Sequence, residues 1–227
     1  MAGRRTAVPF RIFSQSFVKP RTLNMPITEL VFPAYKQDPE SIAGLKERQN
    51  QIIQSFTNID GLSNFHHAEI LEEDGISFKP ESMKRILILK WTDISSFHAF
   101  YPKSAQFGAF VNIVKPFLTG PATPELYEES TPSTFSALMQ VIRVKQNDGT
   151  EEAWKALGKV VGHSSRFQHA KGVENDSGTF LGLISWGDWE EYERVGKTET
   201  FLEGIKELNR NEKAGNIIAR LTQASEA

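Results

Sequence analysis

Two apolar runs along the chain share one layout. Residues 86–89 and 180–184 each read as a buried strand, and each run leads to a tryptophan, Trp91 or Trp186. Two residues after each tryptophan stands an aspartate, Asp93 or Asp188, and four residues further on an aromatic, Phe97 or Tyr192. An aspartate side chain accepts hydrogen bonds from the free N–H groups of a first helical turn, so strand–Trp–x–Asp–helix is a coherent structural unit. It occurs twice, 95 residues apart, which predicts a tandem repeat of one domain.

The remaining periodicity fills in each repeat. In the first, residues 28–35 read as a strand that Pro33 frays at its end. Asp38-Pro39-Glu40 opens a helix with a cap, a proline at the first position and an acid in the first turn. Ile42, Leu45, Ile52, Ile53 and Phe56 form its apolar stripe. Strands follow over 64–72 and 83–91, then the Asp93 helix with Phe97, Phe100, Phe107, Phe110 and Val114 on its buried side. A Pro- and Thr-rich linker over 119–133 carries a short strand near Leu126 and Tyr127. In the second repeat, a strand over 135–145 precedes a helix from Thr150 that buries Trp154, Leu157, Val160 and Val161 and stops near Gly162. Strands over 165–173 and 179–186, the Asp188 helix, a segment through Phe201, Ile205 and Leu208, and a strand over 216–221 complete it.

Each half is β-α-β-β-α-β, the ferredoxin-like order, so the expected fold class is α+β. Ile86 and Ile88 alternate with Leu87 and Leu89, so both faces of that sheet require burial. Two repeats packed sheet to sheet meet this need, whereas independent domains on a linker leave one face of each wet. The expected organisation is an extension over 1–24, a first repeat over 25–129 and a second over 130–227.

Composition removes several classes of chemistry. The chain of 227 residues has no cysteine, which excludes disulfides, thiolate nucleophiles, Cys-ligated zinc and iron–sulfur clusters. A formal net charge of −2 supplies no field to attract nucleic acid, so none is expected as a partner. No apolar run approaches the roughly 20 residues that span a bilayer, and no membrane association is expected. Residues 1–24 hold Arg4, Arg5, Arg11, Lys19 and Arg21 with no acid before Glu29. This segment reads either as a mitochondrial presequence, with Arg11-Ile-Phe-Ser14 as a matrix-processing site, or as a disordered extension ahead of a start at Met25. The second alternative makes the protein cytoplasmic; the first sends it to the mitochondrial matrix.

Two β-α-β-β-α-β units, each with strand–Trp–x–Asp–helix–aromatic, resemble the dimeric α/β-barrel superfamily. Within it the chain is similar to tandem, fungal-type proteins with antibiotic-biosynthesis-monooxygenase or stress-responsive barrel domains, and Met25-Pro-Ile-Thr-Glu-Leu is similar to their usual beginning. The resemblance covers residues 25 to about 223. It implies an apolar, Phe-lined pocket between helices and sheet that takes an apolar or aromatic small molecule. The implied activity is that of a cofactor-independent monooxygenase or polyketide-type cyclase acting on an aromatic or polyketide-like substrate, with no cofactor. The alternative is a non-catalytic binding or stress-response barrel that has lost its acid/base residues. A fold is a poor guide to chemistry, so the residues decide.

Catalytic relatives carry a histidine about fifteen residues after the strand-end aromatic. Here that position is Gln106, or Phe107 with one gap, and Phe201 in the second repeat, none of which shuttles a proton at neutral pH. The tyrosine of such cyclases falls at Phe100, or at Tyr101 with one gap. The alternative bases are His67 and His169, which match in Phe65-His-His-Ala-Glu69 and Phe167-Gln-His-Ala-Lys171. Alternation puts Phe65 and His67 on one face with His66 opposite. Facing the helices, His67 and His169 border a pocket; facing the inter-sheet core, they are structural. The expected catalytic set is therefore His67, His169, Tyr101 and Tyr35, with Phe100, Gln106, Phe107, Trp91 and Trp186 as substrate contacts. Adjacent His66 and His67 point apart and cannot share an ion, so no metal is expected. His98 reads as solvent-facing and His163 as a cation at a helix C-terminus. The expected state is a monomeric pseudo-dimer or a weak homo-oligomer.

Overall fold

The computed structural model describes residues 25–79, 82–130, 135–162, 166–208 and 215–223. The basic N-terminal segment and His163 lie outside these residues. The first repeat runs β1 (Ile27–Val31), α1 (Pro39–Glu47), α2 (Gln49–Gln54), β2 (Leu62–Glu73), β3 (Ile76–Ser77), β4 (Arg85–Trp91), α3 (Ile94–Phe100), α4 (Ala105–Val114) and β5 (Pro124–Glu129). The second runs β6 (Leu138–Lys145), α5 (Thr150–Val161), β7 (Phe167–Gly172), β8 (Thr179–Trp186), α6 (Trp189–Glu191), α7 (Glu199–Leu208) and β9 (Gly215–Gln223).

The three aspartates cap as their spacing requires. Asp38 accepts from the Ser41 N–H at 2.8 Å, Asp93 from Ser96 at 2.9 Å and Asp188 from Glu191 at 2.7 Å. The helix expected from Asp93 to Val114 is instead two helices. Its path breaks at the cis Tyr101–Pro102 peptide, and Ser104 caps α4 by accepting from the Phe107 N–H at 3.0 Å. In the second repeat the helix after Asp188 widens at once into a π-turn over Tyr192–Gly196. The first strand ends at Val31 ahead of Pro33, and Tyr35 beyond it forms an isolated antiparallel bridge with Leu118. The short β3, which the sequence pattern did not suggest, forms a hairpin on the end of β2.

The strands join in the order β2-β4-β1-β5-β7-β8-β6-β9, and β9 pairs back onto β2 to close an eight-stranded antiparallel barrel. Both seams are reciprocal. The last strand of each repeat, β5 or β9, pairs with the second strand of the other, β7 or β2. This is the dimeric α/β-barrel fold completed within one chain. Leu30, Ile86, Ile88, Met139, Leu181 and Ile217 fill the barrel interior. Leu87 and Leu89 face the helices of the first repeat. The alternation in residues 86–89 thus does what it implied, with one face on each core. No described helix is long and apolar enough to cross a membrane.

Candidate functional site

The outer face of β1 is built from alternate residues. Ile27 and Val31 belong to the core under the helices, and Thr28 and Leu30 point into the barrel, so Glu29 lies beneath the helices. It sits opposite Leu89 of β4 and Leu126 of β5. Above it, α3, α4 and the loop through Pro121 and Pro124 enclose a cavity of about 320 Å³. Its walls are apolar: Leu87, Leu89, Phe56, Phe100, Phe107, Phe110 and Val114. The aromatic rings meet at angles rather than in a close-packed stack, as in Phe56–Phe110 (4.8 Å, 62°) and Phe100–Phe107 (5.6 Å, 84°). Three polar groups interrupt this lining: Glu29, Tyr35 and Tyr101.

Glu29 is only 5% exposed. Its Oε2 accepts a 2.7 Å hydrogen bond from the Trp91 indole, and Oε1 has no hydrogen-bond partner among the described residues. Burial disfavours the carboxylate and raises its pKa from 4.5 to about 7, against the opposing pull of the Trp91 bond. Tyr101 lies at the break between α3 and α4, stacked on Phe97 at 5.3 Å. Tyr35 is buried, and burial pushes its phenol up to about 12 in spite of the nearby Arg85.

The second repeat places Gln140 where the first has Glu29. Ile27 pairs with Trp91 as Leu138 pairs with Trp186, which puts positions 29 and 140 in register. The Trp186 indole donates to Gln140 Oε1 at 3.3 Å, and Gln140 Nε2 donates to Asn216 Oδ1 at 2.7 Å. The space above is filled by Trp154, Leu157, Tyr192 and Phe201, all buried. Gly182 permits this: a Cβ there would lie 2.5 Å from the Trp154 ring, whereas the matching position in the first repeat is Leu87.

The histidines divide as alternation requires. His67 lies under α1 and α2, lining a second, more polar cavity of about 220 Å³ with Tyr35, Lys46, Gln49, Glu69 and Arg85. Burial, then Arg85, lowers its pKa to about 4, so the ring is neutral at physiological pH but a weak base. Tyr35 is the wall between this cavity and the apolar one. His169 is half-buried in a groove with Trp154, Phe167, Lys155 and Lys159, stacked on Phe180 at 5.5 Å, with its pKa lowered by burial. His66 points into the barrel, edge-on to Phe135 at 5.0 Å, with neither ring nitrogen hydrogen-bonded among the described residues. His98 is exposed and meets Glu174 at 2.6 Å.

The structure therefore brings Tyr35, Tyr101, Phe100 and Phe107 together in one cavity, with His67 beyond Tyr35 and His169 in the other repeat. Two expectations are corrected. Gln106 is exposed on α4, because the Ser104 cap sets the helix phase so that Phe107 turns inward in its place. Trp91 and Trp186 are core residues, each 1% exposed, and lie outside the cavity lining; their indole N–H groups hold Glu29 and Gln140. Glu29 itself was missed. The signal available was an acid within the apolar run 27–31, in the same repeat position as Gln140.

No protein-family profile matches the chain, and no curated protein matches it. Solved structures do match. A protein from Fusobacterium nucleatum, provisionally named a monooxygenase, is 11% identical with a TM-score of 0.56, over 88% of this chain and 95% of that one. Another from Lactobacillus acidophilus, also provisionally named a monooxygenase, is 12% identical with a TM-score of 0.51, over 88% and 97%. A mutant chlorite dismutase from Candidatus Nitrospira defluvii is 9% identical with a TM-score of 0.51, over 88% and 92%. At such identities the likeness is one of fold: the whole barrel, both repeats, is the shared object.

Proposed function

We propose that the first-repeat cavity binds an apolar aromatic or polyketide-like small molecule, and that the protein acts on it as a cofactor-independent monooxygenase or polyketide-type cyclase. The observation that carries this reading is the cavity itself, an apolar chamber between helices and sheet into which a few polar groups converge. Two of the solved neighbours are provisionally named monooxygenases, which agrees with it. Within such a site a phenol or enol substrate has two routes. With dioxygen it gains one oxygen, loses two hydrogens and releases water. Without it, an enol-derived carbanion adds to a carbonyl carbon of the same molecule, the C=O π bond opens, its oxygen takes up the proton as a hydroxyl and a ring closes. We also assign the chain to the fungal-type tandem branch, acting as a monomer whose two repeats replace two subunits.

A non-catalytic binding role is the second reading. It is favoured by Gln106, Phe107 and Phe201 standing where relatives carry histidine, with Gln106 in solvent and Phe201 fully buried. Calorimetric titration of the full chain with β-tetralone, a bicyclic aryl ketone, tests the shared premise. Saturable binding is expected, weakened by about tenfold or more (~1.4 kcal/mol) in Val114→Phe, which fills the chamber. Binding that is indifferent to this substitution would place the ligand elsewhere. Oxygen uptake and product mass with bound phenols then separate the readings: an added oxygen marks an oxygenase, ring closure without uptake a cyclase, and retention without turnover a binding protein.

A further inference from the structure

We propose that Glu29 is the proton-transfer residue of the first-repeat cavity, and that its substrates are neutral aryl ketones or phenols presenting a weakly acidic C–H or O–H to the carboxylate. The inference rests on the ligand-binding reading of that cavity and adds the group that does its chemistry.

Trp91 sets the first constraint on this position. A buried indole N–H wants an acceptor, and in the second repeat a neutral amide, Gln140, supplies one. A carboxyl is therefore not required for this structural task, and burying one in an apolar wall is costly. The first repeat nevertheless places Glu29 there, with Oε2 fixed by Trp91 and Oε1 left without a partner among the described residues. The two matching positions differ further in what lies above them. Over Gln140 the space is packed by Trp154 and its neighbours; over Glu29 it is an open chamber. The titratable side chain and the cavity occur together, in the same repeat.

Among the described residues lining the chamber, Glu29 is the only carboxylate, and none is a histidine, lysine or arginine. The other groups that can titrate there are the phenols of Tyr35 and Tyr101. His67 lies in the adjoining cavity, across Tyr35. The roles then follow from residue type. The C–H or O–H bond of the substrate breaks and its proton passes to Oε1. The bonding pair stays on the substrate as an enolate or phenolate. The tyrosines that line the chamber supply hydroxyl donors for the oxygen that gains charge, and the carboxylic acid returns its proton to product or solvent. Burial supports this assignment by bringing the affinity of Glu29 for a proton to about neutrality, where taking and returning one are both accessible.

The test is hydrogen–deuterium exchange at the α-carbon of β-tetralone in deuterium oxide, followed by NMR with the full chain. The wild-type protein is expected to accelerate exchange over the buffer rate, with a rate that rises with pH through a midpoint near 7. Glu29→Gln should bind the ketone within a few-fold of wild type and lose on the order of 10²-fold or more of the acceleration. The Trp186–Gln140 pair shows that glutamine fits such a slot. The ¹³C resonance of the Glu29 carboxyl in the wild-type chain gives a reading that needs no variant; it should titrate near pH 7. If the ketone binds both proteins and exchanges equally in both, or in neither, the role of Glu29 is overturned while the cavity reading stands. If the ketone binds neither protein, the cavity reading fails and the inference falls with it.

Discussion

Glu29 and Gln140 take matching places on β1 and β6, and each accepts from the indole that ends the neighbouring strand. The first ends in a carboxyl that can titrate and the second in an amide that cannot, and this has a thermodynamic consequence. An unfolded glutamate titrates near 4.5, whereas in the folded protein burial moves Glu29 to about 7. Folding therefore favours the protonated acid. Its contribution is fully present below about pH 4.5, is lost as pH rises toward 7, and is constant above that. The span is worth on the order of 3 kcal/mol. Urea unfolding at either end of the window should find Glu29→Gln close to wild type in acid and more stable by that order at alkaline pH. An equal pH slope in both proteins would show that Glu29 titrates normally. At this scale the sequence was partly legible. Alternation placed Phe65 and His67 on one face and His66 on the other, as found. Glu29 escaped notice because an acid inside an apolar strand declares its face only when the register to Trp91 is known.

The strand–Trp–x–Asp–helix unit could be read directly, because a cap and a buried strand are both local signals. Breaks within the helices were less visible. Pro102 cannot continue a helix, and Ser104 caps the next one, so the division between α3 and α4 was encoded, but the apolar spacing through Phe100, Phe107 and Phe110 concealed it. The break matters, since it places Tyr101 at the cavity wall. What closes the second repeat is a close approach between elements: the Trp154 indole rests on β8 at Gly182. Gly182→Ala puts a Cβ 2.5 Å from that ring and should lower stability by about 1–3 kcal/mol, read as a fall in Tm. An unchanged Tm would mean that Trp154 has room to move and that the second repeat is not packed shut. Close approaches of this kind depend on tertiary geometry, and a lone glycine in a strand pattern is their only trace in the sequence.

At the scale of the molecule, the need to bury both faces of residues 86–89 was enough to call for sheet against sheet. The edges were not visible in the same way, because pairing of β5 with β7 and β9 with β2 is set by which strands end a repeat rather than by any local pattern. Closure gives two chemically unlike halves on one scaffold: a first repeat with an open apolar chamber around Glu29, and a second packed solid around Gln140. The proposed binding chamber thus lies in one half, while the other completes the barrel. The most direct test is a methyl NMR titration of the full chain with β-tetralone. The methyls of Val31, Leu87, Leu89 and Val114 should shift on binding, and those of Leu157, Ile184 and Ile205 in the second repeat should not. Shifts centred on the second repeat or on barrel-interior residues such as Leu30 and Ile88, or no shifts at all, would contradict it.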